Sequence, residues 1–160
     1  MRVGLVAIGR MKQGPERELV ARYLDRAVAT GKPLGLTGFA VTELVESRAG
    51  SLPSRKAEEA KAITEHLPER SVLIALDEHG KSTGSDDFAQ RLLRWRDDGK
   101  SALSFVIGGA DGLDPAFVKA ADLTLSFSPL TWPHQLVRIM LAEQLYRTTT
   151  ILSGHPYHRE

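Results

Sequence analysis

Hydrophobic and polar positions alternate in blocks along this chain, and the blocks predict strands and helices in turn. Val3–Ile8 is a short apolar run that ends at Gly9, which is typical of a buried strand. After Pro15, apolar residues recur every three to four positions, and charged residues occupy the intervening ones. This spacing predicts an amphipathic helix that ends near Gly31 and Pro33.

The same order of strand and helix repeats to the end of the chain. Further strands are predicted at Leu36–Val45, Val72–Leu76, Leu103–Ile107 and Leu123–Phe127. Further helices are predicted from a cap at Ser54 to about His66, at Asp86–Asp97, at Asp114–Ala121, and from His134 to about Thr149. The alternation predicts one α/β domain over residues 1–160, with a mostly parallel sheet flanked by helices. Ligands of such sheets bind outside the carboxyl ends of the strands. That rule selects Leu76, the loop Gly108–Gly112 and the loop Ser128–Pro133.

Composition narrows the class of protein. The chain has 160 residues and no cysteine, so disulfides, thiolate metal ligands and cysteine nucleophiles are excluded. No apolar run approaches the roughly 20 residues of a membrane helix, and no signal-peptide layout is visible, so we expect a cytoplasmic protein. The net charge is +1, from 21 basic and 20 acidic residues. A nucleic-acid partner would therefore be recognised by its shape and not as a general polyanion.

Two loops at the predicted strand ends are candidates for ligand binding. Gly108-Gly109 follows a buried strand, so the backbone there can approach a ligand, or the glycines merely form a tight turn. Their spacing matches neither the dinucleotide fingerprint nor the phosphate loop. Thr131 or Trp132 would precede the last helix, with Pro133 in its first position and free N–H groups that bind a polar ligand. Alternatively, Trp132 packs in the core.

The last helix and the tail offer further candidates. The helix is apolar over most of its circumference, so it is either buried against a second subunit or central within one chain. Arg138, Glu143, Gln144 and Arg147 then form an interfacial polar network or a solvated edge. The tail, Gly154–Glu160, is rich in groups that donate, stack or titrate, although chain ends usually fray. Its histidines match no standard metal site, so we expect no metal.

Three basic residues flank the loop before the second predicted helix. Arg48, Arg55 and Lys56 either contact phosphates or are merely solvated.

Taken together, these segments resemble one family along the whole chain. The resemblance rests on Val3–Gly9, Leu76-Asp77, Ile107–Gly112, Leu130–His134, Arg138, Glu143–Arg147 and the closing Pro156–Glu160. The chain resembles the 23S rRNA pseudouridine N3-methyltransferases of the SPOUT class. It departs from them in the glycine loop, where the family often has proline at position 110 and glutamate at position 111.

The resemblance implies a C-terminal trefoil knot, a homodimer and a pseudouridine of 23S rRNA in the ribosome as substrate. It implies S-adenosylmethionine as cofactor, held by Leu76, Gly108, Gly109, Phe127, Ser128, Pro129, Leu130, Thr131, Trp132 and Pro133. The catalytic residues would be His158, Tyr157, Arg159 and Asp111. N3 would attack the sulfonium methyl directly, and its proton must leave because the neutral nitrogen is a poor nucleophile. His158, Asp111 and the terminal carboxylates are candidate bases, with Tyr157 and Arg159 holding the target base or a phosphate.

Two competing interpretations remain at this point. Gly108-Gly109 is compatible with an α/β enzyme that uses another nucleotide cofactor, although the dinucleotide fingerprint is missing. A ribosome-associated factor without catalytic activity is the second alternative.

Overall fold

A computed structural model describes residues 1–159. Five parallel strands form one sheet in the order β2-β1-β4-β3-β5. They are β1 Arg2–Ile8, β2 Thr37–Leu44, β3 Val72–Lys81, β4 Ala102–Ile107 and β5 Leu123–Leu125. The connecting helices are α1 Pro15–Gly31, α2 Leu52–Glu65, α3 Ser85–Asp97, α4 Pro115–Lys119 and α5 His134–Ser153. The predicted α/β class with a parallel sheet is thus confirmed.

The core lies on both faces of the sheet because alternate side chains of a strand point to opposite sides. Val3, Leu5 and Ala7 of β1 pack in a cluster with residues of α1, α3 and α5. Val6 and Ile8 belong to a second cluster, which includes residues of α2 and α4. Every residue of β4 is buried, as expected of a central strand that helices cover on both faces.

Local sequence sets most element boundaries, with one cap wrongly predicted. Ser51, and not Ser54, caps α2: its hydroxyl accepts a hydrogen bond from the Ser54 amide, and Pro53 lies in the first turn. Both serines satisfy the cap preference, so the pattern alone does not distinguish them. A helix begins at the predicted place after Asp114 but ends at Lys119, and Asp114 caps it: its carboxylate accepts from the amides of Ala116 and Phe117.

Strand β3 is longer than predicted, and its extension folds against β5. The Ser126 amide donates to the Lys81 carbonyl at 3.1 Å, and the Ser126 hydroxyl donates to the Glu78 carbonyl at 3.0 Å. A Cβ at Gly80 would lie 2.7 Å from the backbone of Leu125, so only glycine permits this approach. The segment 77–81 therefore lies directly beside the chain that leaves β5. The trefoil knot itself stays a prediction.

Helix α5 packs within this chain against both α1 and α3. Thr149 hydrogen-bonds Thr30 of α1, the rings of Tyr146 and Tyr23 lie 6.2 Å apart, and Gln144 accepts from Ser85 of α3 at 2.9 Å. Its broad apolar surface is thus largely occupied by its own chain. The helix also continues four residues beyond Thr149, to Ser153, where Gly154 ends it in a left-handed conformation. No helix among residues 1–159 is long and apolar enough to cross a membrane.

Candidate functional site

A cleft of about 1070 Å³ opens at the carboxyl ends of β3, β4 and β5. Three segments line it: the extension of β3 from Leu76 to His79, the glycine loop Ile107–Leu113, and the loop that joins β5 to α5. Residues of α4 and the first turn of α5 complete the wall. The cleft lies where the strand-end rule placed a ligand, and its volume is at the upper end of the range for small-molecule sites.

The structure brings together nine of the ten residues assigned to a cofactor from the sequence. Those that line the cleft are Leu76, Gly108, Gly109, Phe127, Ser128, Leu130, Thr131, Trp132 and Pro133. Pro129 is exposed and is not among the lining residues. Asp111 also lines the cleft. The binding role of each of these residues stays a prediction.

The glycines are required by the packing of their own loop. A Cβ at Gly108 would lie 2.9 Å from backbone atoms of Gly112 and Leu113, and one at Gly109 would lie 2.9 Å from Ile8 Cγ2. The loop therefore folds tightly against the end of β1 and turns back on itself. The tight-turn interpretation is correct, and the same turn shapes one wall of the cleft.

The loop before α5 differs in detail from the prediction. Pro133 precedes the helix, which begins at His134, and the Pro133 carbonyl accepts from the Leu136 amide at 2.9 Å. Trp132 is 40% exposed and does not pack in the core. Thr131 donates to a carboxylate oxygen of Glu78 at 2.8 Å, which joins this loop to the β3 extension across the cleft. Leu130 and Leu136 are exposed apolar neighbours of Trp132 in the chain.

Asp111 is engaged by a neighbouring cation. Its carboxylate accepts from Arg55 Nε at 2.6 Å. That hydrogen bond is the main cause of a lowered pKa for the Asp111 carboxyl, and the charges of Arg55 and Lys56 act in the same direction. A carboxylate stabilised in its charged form is a weaker proton acceptor. The geometry thus favours a structural contact for Asp111 over the role of base.

Arg138 is completely buried, which neither sequence interpretation anticipated. It is 1% exposed and donates to the carbonyls of Ile8 and Gly9 at 2.8 and 2.5 Å, and to Glu43 at 2.7 Å. Burial has the largest effect on the pKa of the Arg138 guanidinium and lowers it, whereas the Glu43 carboxylate raises it. Arg138 therefore ties α5 to the end of β1 inside the molecule.

The tail folds back onto the second half of α5 through contacts of Tyr157 and His158. Tyr157 donates to Glu143 Oε1 at 3.0 Å, and its ring lies 4.6 Å from that of Tyr146. Arg147 donates to the same carboxylate and lies 4.9 Å from the centre of the Tyr157 ring. Burial, followed by hydrogen bonds to Tyr23 and Glu143, raises the pKa of the Tyr157 phenol, so this side chain stays a donor.

His158 lies between a cation and an anion. Its Nδ1 is 3.2 Å from an Arg147 guanidinium nitrogen, and its Nε2 is 3.3 Å from Asp86. Because a guanidinium only donates, Nδ1 must accept and Nε2 must carry the proton. Arg159 is exposed, and Glu160 with its terminal carboxylate lies outside the described residues.

The tail does not close the cleft of its own chain. None of residues 154–159 is among the lining residues, although His134 and Val137 at the start of α5 are. Arg147, which holds the tail, lies ten residues beyond Val137, or about 15 Å along the helix axis. The predicted cofactor residues and the predicted catalytic tail therefore lie near opposite ends of α5.

Sequence reasoning missed several cleft residues because helices contribute them. Val118 and Lys119 of α4 and Val137 of α5 face the cleft, and so does Lys56 of α2, which the sequence singled out only as a possible phosphate contact. The strand-end rule selects loops and gives no information on which side of a neighbouring helix faces them. Among residues 1–159, no group of three or more histidine, aspartate or glutamate side chains is arranged to hold a metal ion.

A parallel sheet with a cleft built from three loops at its carboxyl edge is the arrangement of an α/β protein that binds a small molecule. The family model described as "Predicted SPOUT methyltransferase" matches residues 1–158. The chain belongs to this family.

Curated relatives are similar over nearly their full length. Ribosomal RNA large subunit methyltransferase H of Brucella anthropi is 58% identical over 159 residues, which cover 99% of each chain. The protein of the same name from Rhizobium etli is 57% identical with the same coverage. Among solved structures, a probable methyltransferase from Bordetella pertussis Tohama I covers 92% of this chain and 95% of its own. Its TM-score is 0.52 at 13% identity, so the likeness extends to the fold alone.

Proposed function

We propose that this chain is a single-domain enzyme that methylates 23S rRNA of the large ribosomal subunit in the cytoplasm, using S-adenosylmethionine. SPOUT methyltransferases use this cofactor, and the 57–58% identical relatives carry the name of a large-subunit rRNA methyltransferase. The observation that carries the proposal is the cleft at the strand ends, which gathers nine of the ten residues expected to hold the cofactor. The finer target, N3 of a pseudouridine, comes from the sequence resemblance.

The cleft suits this cofactor in size and chemistry. Leu76, Ile107 and Val137 would provide apolar surface for the adenine ring, and Asp77 and Glu78 would offer carboxylates to the polar and cationic groups of the cofactor. When bound, the cofactor supplies an electrophilic methyl group on a sulfonium. The protein's own tasks are to orient the cofactor, exclude water and hold the target base in line, which positioning achieves.

The target imide must lose its N3 proton, and the described residues favour His158 for this step. Asp111 is stabilised as a carboxylate by Arg55, and Tyr157 stays protonated. His158 has an accepting Nδ1, which Arg147 contacts in this structure. In the proposed mechanism, the target base displaces Arg147 from Nδ1, and the guanidinium then faces the negative charge that develops on the base. Tyr157 lies beside Arg147, and the assignment of Arg159 to the target base or a phosphate comes from the sequence resemblance.

We further propose a homodimer in which the tail of one subunit completes the cleft of the other. The tail is anchored away from the cleft of its own chain, and Leu130, Trp132 and Leu136 expose apolar surface near the cleft mouth. Covering that surface with a second copy would exclude water from the reaction. Sedimentation equilibrium at micromolar concentration is expected to give twice the chain mass of 17.5 kDa. A single-chain mass at these concentrations would contradict the dimer.

Methyl transfer from labelled S-adenosylmethionine tests the function directly. We expect label in the RNA of ribosomes that lack the modification and none in ribosomes already modified, with the label mapping to one pseudouridine. Ribosome binding without transfer would indicate a non-catalytic factor. Calorimetry should show binding of S-adenosylhomocysteine in preference to NAD or ATP, and a preference for either nucleotide would contradict the cofactor assignment.

Substitution of Gly108 by valine should weaken cofactor binding. The new Cβ would collide with the backbone of Gly112 and Leu113, so the loop must shift and the cleft wall with it. We expect at least a tenfold rise in the Kd for S-adenosylhomocysteine, roughly 1.4 kcal/mol, measured by calorimetry. Gly50→Val is the matched control because nothing lies within 4 Å of a Cβ added at Gly50. An unchanged Kd in the folded Gly108 variant would show that this turn does not shape the cofactor site.

A further inference from the structure

The start of α2 forms one rim of the cleft and carries two adjacent cations with different surroundings. Arg55 donates to Asp111 at 2.6 Å and to the Ala49 carbonyl at 3.3 Å, so its guanidinium is committed to contacts within the chain. Lys56 is half-buried and lines the cleft. Among residues 1–159, no carboxylate lies within ion-pair distance of the Lys56 ammonium.

The position of the ammonium is defined by the glycine loop. A Cβ at Gly112 would lie 3.9 Å from Lys56 Nζ, so the ammonium sits beside the last glycine of that loop. Asp111 is the nearest acidic residue in the loop, and its charge is compensated by Arg55. The Lys56 ammonium therefore has no ion-pair partner of its own at the cleft, since the nearby Asp111 is held by Arg55.

We propose that Lys56 binds a phosphate of the RNA substrate at the mouth of the cleft. This inference rests on the proposed function and adds a contact to it. Lys56 comes from a helix at the rim, outside the three loops that enclose the cofactor space. An RNA strand whose target base enters the cleft must pass its backbone over the rim. An ammonium there neutralises one phosphate and fixes the strand's position without reading its sequence.

The low net charge of the chain increases the importance of a single phosphate contact for RNA affinity. With a net charge of +1, the chain lacks the surplus of cations that binds polyanions generally. Arg48, on the loop before α2, is exposed but is not among the residues that line the cleft. Each uncompensated cation at the mouth therefore contributes a larger share of the RNA affinity than it would on a strongly basic protein.

The test is Lys56→Gln in the full chain, with co-sedimentation on unmodified ribosomes over a range of salt concentrations. We expect the ribosome affinity to fall about three- to tenfold at low salt. We also expect the slope of log affinity against log salt to decrease by roughly one. The Kd for S-adenosylhomocysteine should change less than twofold. Lys56→Arg should retain both the affinity and the slope.

Lys61→Gln is the matched control, since Lys61 lies on the same helix, is exposed and does not line the cleft. It makes the same change of charge and should leave both binding constants unaltered. A weaker S-adenosylhomocysteine affinity with unchanged ribosome binding would assign the ammonium to the cofactor carboxylate and overturn the proposal. Equal losses in the Lys56 and Lys61 variants would also overturn it, because the effect would then be one of general charge.

Failure of the proposed function gives a different result. Wild-type protein that binds ribosomes without methylating them contradicts the enzyme activity, while the slope comparison still decides the role of Lys56. Wild-type protein that does not bind ribosomes at all overturns both.

Discussion

Removal of Tyr157–Glu160 is expected to lower the rate of methyl transfer about 10²- to 10⁴-fold, the range for loss of a general base. Cofactor binding should survive, because none of the described tail residues lines the cleft of its own chain. The fold should survive as well, since the five strands and the helices α1 to α5 all precede the tail, which packs on α5 through Tyr157 and His158. Transfer of labelled methyl to ribosomes and calorimetry with S-adenosylhomocysteine measure the two effects separately.

A point variant separates proton transfer from the other roles of the tail. His158→Gln should account for much of the loss, with His66→Gln, a histidine at the exposed end of α2, as control. Full activity of the truncated protein would exclude the tail from the reaction. Full activity of the His158 variant alone would leave the tail as a wall of the site and assign the proton to another group.

Mixing the truncated protein with the Gly108→Val variant, at a cofactor concentration well below the weakened Kd of that variant, tests whether the tail acts on the cleft of the other subunit. A dimer of one truncated chain and one Gly108→Val chain has one intact combination, in which the tail of the Gly108 variant meets the cleft of the truncated chain. Partial recovery of activity is therefore expected after subunit exchange. If tail and cleft had to belong to the same chain, no combination would be intact and the mixture would stay inactive.

Substitution of Arg138 by methionine should lower the free energy of unfolding by about 3–5 kcal/mol, as is typical when one partner of a buried ion pair is removed. The change leaves the carbonyls of Ile8 and Gly9 without their donor, and Glu43 without its cation. Urea denaturation followed by circular dichroism measures the effect. Arg22→Met, at an exposed position of α1, is the control and should change stability by less than about 0.5 kcal/mol.

A second substitution tests whether the unpaired Glu43 carboxylate causes the loss of stability in Arg138→Met. Glu43 also accepts a hydrogen bond from the Met11 amide at 2.8 Å, which glutamine can preserve. The double variant Glu43→Gln/Arg138→Met should therefore recover part of the lost stability, because an uncompensated carboxylate no longer remains. A loss below about 1 kcal/mol for Arg138→Met would show that water or neighbouring groups replace the guanidinium at little cost.

Elements that depend on local pattern were predictable, and those that depend on contacts between distant segments were less so. The apolar run of β1 and the spacing of α1 are local signals, and both elements lie where the sequence indicates. The extension of β3 to Lys81 was missed because it depends on hydrogen bonds with Ser126, which is distant in the sequence. The cap of α2 was displaced because Ser51 and Ser54 are chemically equivalent candidates.

The C-terminal tail, Gly154–Glu160, shows that the site also depends on contacts that the sequence pattern does not predict. Its residue types provide hydrogen-bond donors, an aromatic ring that can stack and a titratable imidazole. No spacing rule predicts which cleft these groups contact. Contacts of Tyr157 with Glu143 and of His158 with Arg147 anchor it on α5, at a distance from Val137 that the length of the helix sets.

By itself the sequence determined the α/β class, the parallel sheet and the three loops of the cleft, because strand and helix periodicity and glycine positions are local properties. Only the tertiary structure decided that Arg138 is a buried tie, that Arg55 compensates Asp111 and leaves Lys56 without an ion-pair partner of its own, and that the tail lies away from its own cleft. The physical reason is that charged side chains derive their role from the partners that folding brings to them, and these partners lie up to 130 residues away in the chain.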